Sequence, residues 1–298
     1  MKNGWTTLAI GRHLVDVPTN AGLIQQWKYD ETIIDPLPIK SMLDFARIVD
    51  LRQAQLKMAT HKKHGNMFIE RVPQAQGSVT LVSWDSPDSD LFYFFDSFFR
   101  AGAKAVKYSD FVSANRKQSI VEDCNLLSTE WREVKEGEIP IGPGFVTGEM
   151  MLSDQRFNPE SWDLTIRLAN KPDVALRVRA FAQDAPEPSL RTRAGGIVAG
   201  MFGMAGGLVR LRNRERPVGP IWAEEILVAG TQNGKRAYGF KWEAPGKGSS
   251  LAEPQINISL EVGESAYTTN AQSFTSDEEA LALWDTLVES IRLRPGAV

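Results

Sequence analysis

Cysteine is nearly absent from this chain: Cys124 is the single one among 298 residues. One cysteine excludes an intramolecular disulfide framework and any metal site built from several thiolates. Cys124 lies on the apolar stripe of a helix that the spacing predicts from about 113 to 134. We therefore expect it to be a small buried hydrophobic residue.

Long apolar runs and an excess of positive charge are also missing. No stretch reaches the roughly 18 to 20 apolar residues that a membrane-spanning helix needs. The first residues, Met1 and Lys2 included, do not resemble a secretory signal, so either the protein stays in the cytoplasm or a signal has been removed. The net charge of −3 argues against a general nucleic-acid binder, which normally carries a basic face.

Known catalytic motifs are absent as well. The sequence has no Gly-x-Ser-x-Gly, Ser-x-x-Lys, His-Glu-x-x-His or Walker A pattern. His61 and His64 are spaced to share a helix face, but two ligands are too few for a zinc site, and we expect a solvated helix end. We interpret His13 as a hydrogen-bonded strand histidine. The sequence thus predicts neither a metal nor a cofactor, and a protein that is not an enzyme.

Three glutamates keep an alternative open. Glu224, Glu225 and Glu243 could serve as paired carboxylates of a hydrolase. Neighbours in a strand point to opposite faces, so Glu224 and Glu225 would diverge, whereas Glu224 and Glu243 could lie across a hairpin. We favour a solvated or arginine-paired face. A hydrolase with an unrecognised carboxylate site is the alternative, and a pocket holding two of these groups would favour it.

The last third of the chain has the clearest secondary-structure signals. Asn233-Gly234 suits a two-residue hairpin turn, and the strand after it alternates aromatic with small or polar residues. A strand with clean alternation is predicted at 255–262. Ser276 and Glu279 form a capping box at the start of a terminal helix that ends before Pro295.

Proline and glycine are dense over 136–144, which breaks regular structure and suggests a domain boundary. We predict an N-terminal domain, 1–138, and a C-terminal domain, 139–298. The fold class expected is α+β, with two lobes that are each a mainly antiparallel sheet packed with helices. In the first lobe we predict helices at about 38–61 and 113–134, and strands at 79–84, 91–99 and 104–108.

Two segments carry candidate partner-binding residues. Phe92 and Phe94 share the even face of the aromatic strand at 91–99, and they form an apolar patch if that strand is half exposed. Burial of both faces is the alternative. The glycine-rich segment 195–209 is interpreted as a packed helix before an exposed basic strand, or as a loop that touches a membrane or a partner. The strand supplies the other candidates: Arg210, Arg212 and Arg214.

The order of motifs resembles a known family. Residues 10–18 read Ile-Gly-Arg-His-Leu-Val-Asp-Val-Pro, 143–145 read Pro-Gly-Phe, 240–243 read Phe-Lys-Trp-Glu, and the terminal helix ends in Arg-Leu-Arg-Pro. These features are similar to immunity proteins paired with type VI secretion phospholipase effectors of the fourth lipase-effector group. In that family, cysteines often flank Gly-Arg and follow Pro-Gly-Phe. Ala9, Ile10 and Val146 stand there instead, so a disulfide at that place is absent.

The resemblance implies a function as well as a fold. It implies an immunity protein that binds and inhibits a cognate phospholipase effector with a two-lobed clamp, in the periplasm, and so protects the producing cell. An envelope binding module with another partner is a further alternative. Because the last third contains no catalytic set, we expect its tryptophans to maintain the fold and the partner contacts to lie elsewhere.

Overall fold

A computed structural model describes residues 3–186, 188–193, 206–232, 235–262 and 273–298. The chain forms two compact units: Met1–Gln26 with Arg156–Val298, and Trp27–Gln155. The domain boundary expected between 138 and 139 stays a prediction. The Asn233-Gly234 turn and most of the glycine-rich segment 195–209 lie outside the described residues.

The described residues form three α-helices and eighteen strands. The helices are α1 (Met42–Met58), α2 (Lys117–Glu130) and α3 (Asp277–Val288). The strands are β1 (Trp5–Ile10), β2 (His13–Pro18), β3 (Gly22–Tyr29), β4 (Thr32–Pro36), β5 (Phe68–Pro73), β6 (Val79–Ser86), β7 (Ser89–Ala101), β8 (Lys104–Ser113), β9 (Trp131–Glu133), β10 (Phe145–Thr147), β11 (Met150–Leu152), β12 (Glu160–Arg167), β13 (Val174–Phe181), β14 (Gly206–Glu215), β15 (Glu224–Gln232), β16 (Lys235–Ala244), β17 (Gln255–Val262) and β18 (Arg292–Leu293). The α+β class is confirmed, while the two-lobed arrangement stays a prediction.

In the first unit, antiparallel pairing gives the order β14-β15-β16-β17-β13-β12, beside a small sheet of order β1-β2-β18. The predicted aromatic face of β16 is buried: Tyr238, Phe240 and Trp242 are each at most 2% exposed. Helix α3 covers this face, and the rings of Phe240 and Trp284 meet edge-to-face with centroids 5.6 Å apart. The opposite face of β15 and β16 is also largely buried, which alternation alone does not predict.

The start of α3 confirms half of the predicted capping box. The Ser276 hydroxyl accepts from the Glu279 backbone N–H at 3.3 Å. The Glu279 carboxylate reaches one residue further back than expected and accepts from the Thr275 backbone N–H at 2.7 Å. The helix ends at Val288, before Ile291, and the chain then turns so that Arg292 and Leu293 pair with β2.

In the second unit, β4-β8-β7-β6-β5 form an antiparallel sheet, and the Trp27–Tyr29 end of β3 pairs with β4. Helix α1 begins at Met42, after the N-cap Ser41, four residues later than Pro38. Its buried face packs with the sheet in one core cluster: Phe45, Val49, Leu56, Val79, Leu81 and Phe98.

Helix α2 is shorter than predicted, since Trp131 starts strand β9 instead of a last helical turn. Cys124 is 2% exposed on α2, as expected, and the Ser97 hydroxyl donates to its sulfur at 3.2 Å. None of the described helices has the length and apolar character needed to cross a bilayer.

Candidate functional site

An exposed aromatic patch lies at the start of β7 and the end of β8. Phe94 and Phe111 are register partners, so they share a face of the sheet, and Phe92 lies two residues from Phe94 on the same face. Phe92 is 40% exposed and Phe111 60% exposed, and their rings meet edge-to-face with centroids 6.0 Å apart. We call Phe92, Phe94 and Phe111 the aromatic patch.

Strand β7 was expected to be either half exposed or buried on both faces, and it is partly exposed. The first part of β7 is half exposed, whereas Phe98 is 1% exposed and packs with Phe45 and Val49 of α1. The strand is therefore covered where it contacts the helix and open before that point. Phe111, which completes the patch, was missed because its aromatic neighbours lie on another strand.

The three candidate arginines of β14 differ in their environments. The Arg212 guanidinium donates to both Asp285 oxygens, at 2.6 and 3.0 Å, and Arg214 donates to Glu225 at 2.8 Å. Arg210 is exposed, and no ion pair joins it to another described residue. Among the three, Arg210 thus has the guanidinium most available to a partner.

Glu225 is the centre of a buried ion-pair cluster. It is 0% exposed, accepts from Arg216 at 2.6 Å, and lies within 3.6 Å of Arg212. The indole N–H of Trp284 is a further donor, at 3.2 Å. The carboxylate of Glu225 is therefore occupied by structural contacts.

Glu224 and Glu243 are register partners on adjacent strands and are also buried. Glu224 accepts from the Arg191 backbone N–H at 2.8 Å. Glu243 accepts from the Arg193 guanidinium, and from the Asn257 amide at 2.8 Å. The expectation of a solvated or arginine-paired face is met by arginine pairing: Glu224 lies 3.9 Å from the Arg191 guanidinium, Glu243 accepts from Arg193, and both carboxylates are buried.

The expectations for the histidines need correction. His61 is 1% exposed; its Nδ1 accepts from the backbone N–H groups of Lys63 and His64, and its Nε2 lies 3.1 Å from the Ser89 carbonyl. His64 stacks on Trp84 with centroids 4.4 Å apart. A solvated helix end is wrong for this pair because α1 stops at Met58. In the described part of the chain, no three metal-binding side chains cluster.

His13 is 2% exposed in β2, and its ring lies 5.8 Å from that of Trp162. Burial, followed by the charges of Arg12 and Arg294, lowers the pKa of His13 to about 4, so the imidazole is neutral near pH 7. Within the described structure, its Nδ1 has no hydrogen-bond partner. The expectation of a fully hydrogen-bonded histidine is therefore wrong at this nitrogen.

His13 lines a pocket of about 740 Å³ that sequence patterns did not predict. Its other lining residues come from three segments of the first unit, within 218–222, 244–256 and 289–293. None of Glu224, Glu225 and Glu243 lines it, so this pocket does not bring together the carboxylates on which the hydrolase alternative depends.

The model of the Tle cognate immunity protein 4 C-terminal domain matches residues 138–296. This chain belongs to that immunity protein family. It is 33% identical to the apo structure of the immunity protein TplEi of the type VI secretion system from Pseudomonas aeruginosa, covering 99% of this chain and 98% of that chain with a TM-score of 0.91. The family predicted from the sequence is confirmed.

Two further solved structures are similar over the same extent. A chain in a crystal structure of the Tle4–Tli4 complex is 32% identical and covers 99% of both chains, with a TM-score of 0.91. The Pseudomonas aeruginosa TplEi complexed with "L" peptide is 31% identical, covering 99% of this chain and all of that chain, with a TM-score of 0.86. No curated protein sequence matches this member of the family.

Proposed function

We propose that this chain binds and inhibits a cognate type VI secretion phospholipase effector and so protects the producing cell. The observation that carries the proposal is the match over 99% of the chain to a chain of the Tle4–Tli4 complex. A similarity of this extent supports the same class of partner for the whole chain.

The mode of action that we propose is stoichiometric binding without catalysis. The glutamates that kept the hydrolase alternative open are held by Arg191, Arg193 and Arg216 inside the fold. Charges engaged in this way orient secondary structure and are poorly placed to transfer protons to a substrate.

For the contact surface, we propose the aromatic patch and the arginines of β14. Tight protein complexes depend on a few aromatic or arginine anchors that become buried on binding. Phe92, Phe94 and Arg210 offer such groups. Arg212 and Arg214 lie on the same strand as Arg210. In the proposed two-lobed clamp, the aromatic patch contacts the effector from the predicted domain 1–138, and the arginines of β14 contact it from the predicted domain 139–298.

The place of action that we propose is the periplasm. The support is the family resemblance, because an inhibitor must occupy the compartment in which its effector is active. Fractionation of the producing cells checks this: the chain is expected with periplasmic marker enzymes, and its recovery with the cytoplasmic fraction would overturn the assignment.

Binding is tested by purifying the chain together with its cognate phospholipase effector. We expect one complex on size-exclusion chromatography and loss of phospholipase activity at an equimolar ratio. Separate elution with full activity would overturn the proposal and would favour an envelope module with another partner. Hydrolysis of a lipid or glycoside by the chain alone would favour the hydrolase.

The clamp is tested on the intact complex by hydrogen–deuterium exchange. Protection from exchange is expected in both 1–138 and 139–298 when the effector is bound. Protection confined to one of these segments, with inhibition intact, would overturn the clamp while leaving the inhibitory function in place.

A further inference from the structure

The pocket beside His13 has mostly apolar walls. Ile221 and Trp222 come from the segment before β15, Pro254 and Ile256 from the start of β17, and Ile291 from the segment after α3. Trp222 is 46% exposed, although a large apolar side chain is usually covered in a folded protein. A concave apolar site of this size holds small organic ligands in other proteins.

The walls are held in place without a ligand. Val218 and Ile221 exchange two backbone hydrogen bonds, at 2.9 and 3.0 Å, which close a tight turn on one side. On the other side, the Lys247 N–H donates to the Glu253 carbonyl at 2.8 Å. Gly246 packs so closely that a Cβ there would lie 2.5 Å from the backbone nitrogen of Gln255. A preformed cavity loses little conformational entropy on binding.

The charged groups around the pocket are exposed and already paired. Lys247 is 2.6 Å from Glu253, and Arg292 is 3.2 Å from Asp16. Glu289 is 3.4 Å from Arg216. Because these charges are paired, the rim of the pocket offers an ionic ligand no unpaired charge to bind.

The polar group on the buried side is His13. The Nδ1 of its neutral imidazole has no hydrogen-bond partner in the described structure and is closed to solvent, which leaves Nε2 as the ring nitrogen for a ligand. A hydroxyl group suits a neutral imidazole because it can donate to one ring nitrogen or accept from the other. A carboxylate would be desolvated beside an uncharged ring.

We propose that this pocket binds a small uncharged amphiphile whose alkyl chain lies along Ile221, Trp222 and Ile256 and whose hydroxyl pairs with His13. The site lies within the first unit and uses no residue proposed to contact the effector. The proposal goes beyond the inhibitory function and does not depend on it.

The test uses 1-octanol and octanoate as probes with the full chain at neutral pH. Nuclear magnetic resonance spectra report the Trp222 indole N–H and the His13 ring nitrogens. We expect saturable shifts of both signals with 1-octanol and weaker binding of octanoate. No shift at either residue, or tighter binding of octanoate, would overturn the proposal.

Two alanine positions test the location of the site. Ala252 is an exposed pocket residue, so Ala252→Phe narrows the pocket without adding bulk to the core. We expect it to weaken 1-octanol binding by about tenfold or more, equivalent to about 1.4 kcal/mol. The matched control is Ala103→Phe, an exposed alanine in the second unit, which should bind like the unchanged chain. Equal binding by both variants would overturn the site.

Two further variants keep the test independent of folding. Trp222→Ala removes an exposed wall and should weaken 1-octanol binding even if Ala252→Phe does not fold. His13→Phe keeps a ring of similar shape but removes the hydrogen bond, so we expect an affinity loss of about fivefold. Unchanged affinity in His13→Phe, shown by thermal melting to be folded, would overturn the role of the imidazole.

Discussion

The indole N–H of Trp284 donates to the carboxylate of Glu225 over 3.2 Å, and both side chains are 0% exposed. The bond joins helix α3 to strand β15, 59 residues earlier in the chain. Arg214 and Arg216 bind the same carboxylate, so one buried glutamate ties a helix and two strand segments together.

Replacing Glu225 with alanine should strongly destabilise the protein. The change leaves the indole N–H of Trp284 without its acceptor and leaves the Arg216 guanidinium with only Asp285 and Glu289, at a cost of about 3 kcal/mol. Urea denaturation of the variant measures the loss. Glu261→Ala, at an exposed position of β17, is the control and should stay within about 0.5 kcal/mol of the unchanged chain. A loss at 225 no larger than at 261 would contradict the cluster's structural role.

Alanine substitutions at two glycines should distinguish the cost of a steric clash from the cost of backbone strain. Gly246 and Gly219 both have positive φ, +71° and +55°, but a Cβ at 246 meets the backbone of Pro254 and Gln255, whereas a Cβ at 219 meets no atom within 4 Å. Gly219→Ala should cost about 1 kcal/mol, the strain of a positive φ. Gly246→Ala should cost clearly more, since backbone must move. Equal unfolding midpoints in urea for the two variants would refute this difference.

Glu279 should contribute to stability in a pH-dependent way. Its hydrogen bond from Lys171, followed by those from Thr275, lowers the pKa of its carboxyl from 4.5 to about 2. Because the folded-state pKa is lowered, the contribution is fully present above pH 4.5 and is lost as the pH falls toward 2.

The carboxylate is 38% exposed, so solvent screening limits the contribution to less than about 1 kcal/mol. Denaturation of Glu279→Gln at several pH values checks this: the variant should be less stable at pH 7, and the difference should vanish near pH 2. A difference that does not change between these pH values would contradict the assignment.

Cys124 should not react with thiol reagents in the folded protein. Burial raises the pKa of its thiol to about 11, and the side chain is 2% exposed, so little thiolate is present or accessible at pH 8. Ellman's reagent should report no thiol in the native chain and one thiol per chain in urea. Rapid reaction of the native chain would show that the helix α2 site opens readily.

Variants of the aromatic patch and of the β14 arginines should distinguish an effect on effector binding from an effect on stability. Phe92→Ala combined with Phe111→Ala removes exposed rings, so effector affinity should fall by about tenfold or more while the unfolding midpoint changes little. Arg210→Ala should also weaken binding at unchanged stability. Arg212→Ala should lower stability, because it removes two hydrogen bonds to Asp285 and leaves that carboxylate with Arg216. Calorimetric titration with the effector and urea denaturation provide both readouts.

A patch double variant that binds the effector as tightly as the unchanged chain would remove the patch from the interface. If that variant instead unfolds at lower urea, the rings support the sheet, and the candidate contact surface lies elsewhere.

Local sequence patterns predicted much of the fold. The alternation at 255–262 and the aromatic face of β16 depend on neighbours along one strand, and the Ser276 cap depends on residues three apart. Such short-range signals are present in the sequence itself. The same reasoning made the helix predicted at 113–134 too long, because Trp131 pairs in strand β9 and the helix ends at Glu130.

The sequence by itself determined the α+β class, the family and the absence of a disulfide framework, because these follow from residue type, order and spacing. Only the tertiary structure decided that Glu225 is buried among arginines, that Phe111 completes the aromatic patch, and that His13 faces a pocket. Each of these depends on contacts between residues far apart in the chain. Burial and pairing are properties of such contacts, so periodicity along a single strand or helix does not specify them.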